Sequence, residues 1–185
     1  MPRCKHCKDK FTAKFFLQKY CMEKDECIKA FTDNYKATKE KTEAKEWSKE
    51  KKERKEALMS HSEWLKILQS VFNTYIRERD KGLECVSCGC KVDNGHASHF
   101  FSVGSHPNLR FDEDNCHLSC VEDNLHLHGN LIEYSLRLPK RIGQERYDAL
   151  LDRSKKTTLK LSIPDIKEKI KYYKEKTKQL KNENT

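Results

Sequence analysis

The sequence predicts an α+β protein made of helices and a small metal-stabilised unit, and three observations support this prediction. Hydrophobic residues make up 36% of the chain and charged residues another 36%, so no large apolar core can form. Nine cysteines and eight histidines supply ligands for metal ions, which often stabilise small cores of this kind. The segment that holds most of the histidines has the pattern of two short strands followed by a helix.

Residues 1–31 form a cysteine-bearing head. Its cysteines are spaced as Cys4-x2-Cys7 and Cys21-x5-Cys27, with aromatic residues between the two pairs. This pattern predicts a four-thiolate zinc module of the zinc-ribbon type, in which the aromatic side chains form a miniature core. The alternative is a disordered tail with unpaired thiols, because the gap between Cys21 and Cys27 is wider than the usual zinc-ligand spacing.

Composition divides the remaining chain into three further segments. Residues 32–59 are a charged linker that is either helical or partly disordered. Its mixed charges indicate a solvent-exposed surface rather than a basic arm that binds along phosphates. Residues 60–152 form a central domain that begins with an amphipathic helix, for which Ser60 and Glu63 have capping-box spacing, and includes a helix over about 143–152. Residues 153–185 contain a last charged helix that starts near Ser162.

The charge balance and the cysteine content suggest partners and a compartment. A net charge of +9 and a pI near 9.0 favour a polyanionic partner, nucleic acid first, over a basic surface that is merely solvated. The N-terminus has no apolar signal region and no stretch approaches transmembrane length, so we expect no membrane association. A cytoplasmic location follows, and in a reducing compartment paired cysteines more often bind metal than form disulfides.

The segment from Cys85 to Asn130 contains most of the chemistry. Strand-forming residues lie at 92–101 and at 109–111, turn residues lie between them, and a helix is predicted over about 118–127. The first strand would present His96 and His99, and the helix would present two further histidines. Hydrolysis of a phosphodiester needs a base to activate water and a cation beside the phosphate. A neutral histidine next to a metal site satisfies both needs, so the segment predicts a metal-dependent nuclease.

Several motifs resemble one known family. They are Ala97-Ser98-His99, the run from Val103 to Asn115 (VGSHPNLRFDEDN), Gly129-Asn130-Leu131 and Arg141–Arg146 (RIGQER). These motifs resemble the HNH-type recombination endonucleases of the phage lambda NinG (Rap) family, and the similarity covers nearly the whole chain. It implies a zinc-bound ββα-metal (HNH, treble-clef-like) core over 60–152, Mg²⁺- or Mn²⁺-dependent cleavage, and one or two structural Zn²⁺ ions.

The resemblance also implies roles for individual residues of the nuclease site. His99 matches the histidine that activates water, and Asn115 matches the asparagine that holds this imidazole in register. His128 is the first choice for the histidine that binds the catalytic metal, with His126 as the alternative. His96 stands where family members often have an aspartate, and this departure favours Mn²⁺ or Ni²⁺ as activators in vitro, since an oxygen ligand suits Mg²⁺ better.

A second departure concerns the structural zinc site. The family's second cysteine pair is Cys-x2-Cys, but here Cys120 is followed by Asp123 at that spacing. A site of three thiolates and a carboxylate is chemically feasible. Its predicted ligands are Cys85, Cys88, Cys120 and Asp123, with Cys90 or Cys116 as a substitute fourth thiolate.

Two further residues are candidates for contact with DNA. Arg110 is placed to stabilise charge on the phosphate, with a strand-packing or salt-bridge role as the alternative. His117 is a candidate phosphate contact, with a helix-capping role as the alternative.

The expected function is therefore an endonuclease of phage recombination, acting in the host cytoplasm on branched DNA such as Holliday junctions and D-loops. Cutting of two strands favours a homodimer by symmetry. Two alternatives remain: an HNH nicking enzyme with a role outside recombination, and a non-catalytic zinc protein that binds nucleic acid.

Overall fold

The computed structural model describes residues 1–156 and 158–183, and the chain divides into two units, Met1–Met59 and Ser60–Thr185. Of the predicted segment 153–185, residues 157, 184 and 185 lie outside the described residues. Across the described ranges, no helix combines the length and the apolar content that a membrane crossing requires. The protein is helix-rich α+β, and the predicted division into four segments stays a prediction.

The first unit is a cysteine-bearing head followed by one long helix. In the head, an isolated bridge joins Arg3 to Lys10, and the buried core consists of thiols and aromatic rings: Cys4, Phe11, Tyr20, Cys21 and Cys27. Helix α1 spans Asp25–Ala57. Beyond the head its side chains are almost all exposed, and Lys–Glu pairs at i, i+4 such as Lys39–Glu43 stabilise it. The charged linker is thus helical, which was one of its two predicted states.

The second unit begins with helix α2, His61–Arg79, which packs against helix α5, Ile163–Glu183. The predicted capping box is present, because the Ser60 hydroxyl accepts from the Glu63 N–H and the Glu63 carboxylate accepts from the Ser60 N–H. Aromatic rings fill the contact between the two helices: Tyr173 lies 5.1 Å from both Phe72 and Tyr75, measured between ring centroids. These two helices form one wall of the central sheet.

The sheet has two antiparallel strands, β1 (His96–His99) and β2 (Cys116–Ser119), in which His96 pairs with Ser119 and His99 with Cys116. The first strand lies within its predicted range. The prediction of a second strand at 109–111 was wrong, because Pro107–Leu109 forms a 3₁₀ turn that leads into the loop before β2.

The prediction of a helix over 118–127 was also wrong at its start, because Leu118 lies on β2. All four residues of β2 are buried, so the strand lacks the alternation that would have distinguished it from a helix. A single π-helical turn follows at Glu122–His126, closed by the bond from the Leu127 N–H to the Glu122 carbonyl at 3.0 Å.

Helices α3 (Leu131–Ile142) and α4 (Gln144–Ser154) complete the second unit. Their apolar faces enclose a core that includes Leu109 and Val86, with Phe100 and Phe101 packed against it. The buried Tyr134 hydroxyl of α3 donates to the Ser98 carbonyl at 3.1 Å, which fixes α3 against β1. The sheet, which carries the predicted general base His99 and the predicted metal ligand His96, is therefore held between α2 and α3.

Candidate metal centres and active site

The four cysteines of the head lie together, as their spacing predicted. Their sulfur atoms are all within 4.8 Å of one another, with Cys4 to Cys27 at 3.8 Å and Cys7 to Cys21 at 3.9 Å. Four thiolates bound tetrahedrally to Zn²⁺ at about 2.3 Å have sulfurs about 3.8 Å apart, whereas a disulfide would bring two sulfurs to about 2.0 Å. The geometry therefore suits a four-thiolate zinc site.

The pKa values of these thiols also favour a bound metal ion at this cluster. Burial raises the pKa of Cys4, but the backbone amides of Cys21, Cys7 and His6 outweigh it and lower that pKa to about 6. Burial and the neighbouring thiols raise the pKa of Cys27 to about 12. Without a cation the cluster cannot hold four negative charges, so full ionisation requires a bound metal.

A second cysteine cluster lies where β2 meets the loop that follows α2. The sulfur atoms of Cys85, Cys88, Cys90 and Cys120 are all within 4.8 Å of one another, and Cys88 lies 3.9 Å from Cys120. The Cys85 carbonyl accepts from the Gly89 N–H at 3.0 Å, and Gly89 has φ +76°, a conformation that favours glycine in a tight metal-binding turn. The structure thus brings together the three predicted thiolates and one of the two substitutes.

Asp123 belongs to this cluster as well. Its Oδ2 lies 3.1 Å from Cys85 Sγ and 3.3 Å from Cys120 Sγ, while its Oδ1 accepts from Asn130 Nδ2 at 2.8 Å. Burial raises the pKa of Asp123, but bonds from Cys88 and Asn130 with those of the other thiols outweigh it and hold that pKa at about 2. An ionised, buried carboxylate is a suitable fourth ligand, so Asp123 and Cys90 compete for this position.

Cys116 takes no part in that cluster. It is buried on β2 opposite His99, and its sulfur lies 3.7 Å from His99 Nδ1. Burial strongly raises the pKa of its thiol. The suggestion that Cys116 could replace the fourth zinc ligand was wrong, because its side chain lies on the His99 face of the sheet, whereas Ser119 on the other face contacts Cys85.

His99 and Asn115 are organised around one loop. The Arg110 carbonyl lies 2.9 Å from His99 Nε2, so the neutral ring carries its proton on Nε2 and leaves Nδ1 as the acceptor. Asn115 is fully buried; its Nδ2 donates to the Phe101 and Leu109 carbonyls at 3.0 Å, and its Oδ1 accepts from the Phe101 N–H at 2.7 Å. The amide thus ties the end of β1 to the segment that supplies the His99 acceptor.

The electrostatic surroundings keep His99 neutral. Burial lowers its pKa, the charge of Arg110 lowers it further, and the Arg110 carbonyl opposes both effects in part. The ring also packs against Phe72 of α2, with centroids 6.3 Å apart. A half-buried neutral imidazole held at Nε2 is equipped to accept a proton at Nδ1.

His117 lies inside the protein rather than on its surface. It is 4% exposed, its Nδ1 lies 3.0 Å from Arg79 Nη2, and its Nε2 lies 3.1 Å from the Asp114 carbonyl. Asp80 accepts from the Leu118 N–H at 2.9 Å and pairs with Arg79 at 2.7 Å. This buried network fastens β2 to the end of α2, and it leaves little of the His117 ring to contact a phosphate.

His96 contacts a residue that sequence reasoning missed. Its Nδ1 lies 3.1 Å from the side-chain amide nitrogen of Asn124, in the π-helical turn. The predicted ligands His126 and His128 are exposed, and the hydrogen bonds of the described residues include none between either ring and His96. A signal for Asn124 was available, since it directly follows Asp123, a predicted zinc ligand. An amide oxygen is a suitable ligand for a hard cation.

Arg110 is half-buried beside the His99 site. Its Nε donates to Gln69 Oε1 of α2 at 2.7 Å, and its guanidinium carbon lies 5.3 Å from the centroid of the Phe111 ring. No carboxylate of the described residues forms an ion pair with it. Its charge therefore stays available to an anion at the surface.

Fold and site together define a class: a small α+β protein with two cysteine clusters suited to zinc and a histidine–asparagine site on its two-stranded sheet. The family model described as "Bacteriophage Lambda NinG protein" matches residues 1–183. The chain belongs to the NinG family.

Individual relatives agree with this assignment. "Protein ninG" of Escherichia phage 933W is 45% identical over 98 residues, which cover 52% of this chain and 49% of that protein. "Protein ninG" of Escherichia phage lambda is 39% identical over 130 residues, which cover 70% of this chain and 63% of that protein. The chain thus spans about half to less than two thirds of the length of these relatives. No solved structure matches the chain.

Proposed function

We propose that this protein is a metal-dependent DNA endonuclease of the HNH (ββα-metal) type that cuts branched recombination intermediates. The observation that carries the proposal is the His99–Arg110 bond supported by the Asn115 amide. A purely structural histidine would use both ring nitrogens, whereas here the stronger partner occupies Nε2 and only a thiol approaches Nδ1. A thiol is a weak donor, so the contact at 3.7 Å leaves the Nδ1 lone pair largely unused.

His99 would act as the general base. With its pKa lowered by burial, the ring is unprotonated at neutral pH and can take a proton from the attacking water. The Arg110 carbonyl then stabilises the imidazolium that forms, because it accepts from Nε2–H throughout. The Asn115 amide keeps this carbonyl in place through its bond to the preceding residue, Leu109.

His96 and Asn124 would hold the divalent cation that the family resemblance implies, on the face of β1 opposite to that of His99. The two side chains already meet, and rotation of the Asn124 amide by half a turn presents its oxygen instead of its nitrogen. Mg²⁺ and Mn²⁺ sites in phosphoryl-transfer enzymes commonly use one or two protein ligands with water and substrate phosphate, so this small donor set fits. When bound, such a cation neutralises charge on a phosphate that lies beside His96. An imidazole in place of a carboxylate favours Mn²⁺ over Mg²⁺.

The polar face of α2 offers a path for the DNA backbone to this site. One groove of about 350 Å³ runs along the helix and is lined by Lys66, Gln69, Ser70, Asn73, Arg77 and Arg110. A second groove of about 440 Å³ shares Arg77 and continues past Lys81 to His96, and Glu78 and Asp93 also line it. Cationic and amide side chains of this kind position a phosphate backbone without reading bases. One end of the path lies at Arg110, beside His99, and the other at a candidate metal ligand.

The substrate class rests on the family resemblance, which points to four-way junctions and D-loops, with 3′-hydroxyl and 5′-phosphate products. The chain itself contributes a net charge of +9, which favours any nucleic acid. The proposal also includes a homodimer, since paired cuts in a junction need two active sites.

The test is cleavage of labelled DNA by the zinc-loaded protein with Mg²⁺, with Mn²⁺ and with neither. A four-way junction, a D-loop and a linear duplex of the same length are compared at equal concentration. Metal-dependent cutting that prefers the branched substrates supports the proposal. Equal cutting of the linear duplex would indicate a nicking enzyme with a role outside recombination, and binding without cleavage would indicate a zinc-stabilised DNA-binding protein.

A further inference from the structure

The cysteine-bearing head has an exposed aromatic surface that its zinc site does not explain. Phe16 is 90% exposed, Tyr35 63% and Phe15 57%. Phe31 and Tyr35, one turn apart on α1, are stacked with centroids 6.4 Å apart and planes at 29°. Phe16 adjoins in the chain a groove of about 230 Å³ whose lining includes Phe15, Leu17, Tyr20, Met22, Phe31 and Tyr35. Four of the six are aromatic, and none of the six carries a charge.

The charge around this groove is positive. Residues 1–24 contain seven lysines and arginines and two acidic residues. A zinc ion bound by four thiolates adds two negative charges, so the head keeps a net positive charge. Lys19 lines the groove itself, and Lys14 lies next to Phe15 in the chain. The aromatic surface is therefore set in a field that attracts an anion.

We infer that the aromatic surface of the head binds unpaired nucleotides of a single-stranded nucleic acid, by stacking of bases on Phe15, Phe16 and Tyr35 while the surrounding lysines contact phosphates. Every base has a flat π-face, and a cationic groove with exposed aromatic rings is the means by which sequence-tolerant proteins hold single strands. The groove is smaller than the pockets of about 300 Å³ or more that hold drug-sized ligands. It therefore suits a planar ring better than the helix of a protein partner.

This inference goes beyond the proposed nuclease activity and does not depend on it. It gives the head a preference for strands that are not paired, whereas the α2 face would contact phosphates of any DNA. Binding alone tests it, with no activating metal present, so a protein that never cuts DNA can still confirm it.

The experiment measures, by fluorescence anisotropy, the affinity of the zinc-loaded full chain for three labelled DNA probes, each 15 nucleotides or base pairs long. The probes are a thymidine single strand, an abasic chain with the same phosphates, and a 15-base-pair duplex. We expect the single strand to bind roughly tenfold more tightly than the abasic chain, as one stacked base accounts for a difference of that order. Equal affinity for the two would overturn the inference, because phosphate attraction alone would then explain binding.

Substitution of two exposed aromatic residues tests where the single strand binds. We expect Phe16→Ala and Tyr35→Ala each to weaken binding of the single strand roughly tenfold and to leave the abasic chain unaffected. Trp47→Ala is the matched control: Trp47 is 60% exposed on the same helix, but four glutamates and one lysine line its groove, so its surroundings are more acidic than the head. Unchanged binding in both head variants at wild-type zinc content would overturn the inference. So would a loss of self-association in Phe16→Ala without a loss of DNA affinity, since the surface would then contact a second copy of the chain.

Discussion

The side chain of Asn115 and the backbone of Phe101 are joined by two hydrogen bonds, one in each direction, at 2.7 and 3.0 Å. A third bond joins the same amide to Leu109 at 3.0 Å. One buried side chain thus closes the loop between the two strands and sets the position of the carbonyl that holds His99.

Replacement of Asn115 should therefore destabilise the second unit. Asn115→Ala removes three hydrogen bonds and leaves buried backbone groups without partners, so we expect the free energy of unfolding to fall by about 3 kcal/mol or more. Urea denaturation followed by circular dichroism measures this change. Asn94→Ala is the control, because Asn94 is exposed in the loop before β1 and its loss should change stability little.

Because of the buried pair of Asp80 and Arg79, the free energy of unfolding should fall at acidic pH. Burial raises the pKa of Asp80, but His117 and Arg79 outweigh it and hold that pKa well below its usual value. A carboxylate with a lowered folded-state pKa stabilises the fold above about pH 4, and this contribution disappears as the pH falls through the folded-state pKa. Asp80→Asn should thus be less stable than wild type at pH 7, by about 3 kcal/mol.

The difference between wild type and Asp80→Asn should shrink as the pH falls below about 4. Loss of zinc in acid affects both proteins alike, so the difference isolates Asp80. A difference that stays constant from pH 7 to pH 3 would show that the carboxylate charge contributes nothing.

The fourth ligand of the second zinc site can be assigned with three variants. Asp123→Cys should slow zinc loss to a chelator, since a thiolate binds zinc more strongly than a carboxylate in a soft donor set. Asn130→Gly removes the bond to Asp123 Oδ1, and loss of such an outer partner costs roughly 10- to 100-fold in affinity. Glycine is chosen because Asn130 has φ +47°.

Cys90→Ser is the comparison for that assignment. If Asp123 is the ligand, Cys90→Ser retains zinc as wild type does. Rapid zinc loss in Cys90→Ser together with wild-type retention in Asn130→Gly would assign the position to Cys90 instead. Zinc content of the untreated protein should be two ions per chain, one for each cluster.

The rate of DNA cleavage should rise with pH as His99 loses its proton. Because burial and the charge of Arg110 lower the pKa of His99, the midpoint of the rise should lie below the ordinary value of about 6.5. Arg110→Gln removes the charge but keeps the backbone carbonyl, so it should move the midpoint upward. Single-turnover rates at saturating DNA between pH 5 and pH 8 measure this, and a midpoint that is unmoved in Arg110→Gln would contradict the electrostatic account.

The sequence predicted those features that depend on short spacings. The Ser60 capping box is set by local spacing, and each cysteine cluster joins two short motifs of metal-ligand spacing, Cys4/Cys7 with Cys21/Cys27 and Cys85/Cys88 with Cys120/Asp123. The general position of β1 followed from its neighbouring turn residues in the same way. Such features depend on a few residues in short motifs, so they can be predicted without knowledge of the tertiary structure.

Three features depended on the tertiary fold: two were missed, and the third, the choice between Cys90 and Cys116, was left open. Strand β2 is buried on both faces, so its sequence shows no alternation. Asn124 meets His96 only because a π-helical turn replaces the expected α-helix. Cys90 joins the second cluster through the turn at Gly89, while Cys116, equally near in sequence to the other ligands, faces the opposite side of the sheet.

Single-turnover cleavage of a four-way junction by wild type and His99→Ala, with Mn²⁺, tests the central claim most directly. We expect wild type to cut and the variant to be slower by roughly 10²- to 10⁴-fold, with zinc content and junction affinity unchanged. His61→Ala is the control, since His61 is an exposed histidine at the start of α2. A junction cut by His99→Ala at the wild-type rate, or left intact by the wild-type protein, would contradict the account.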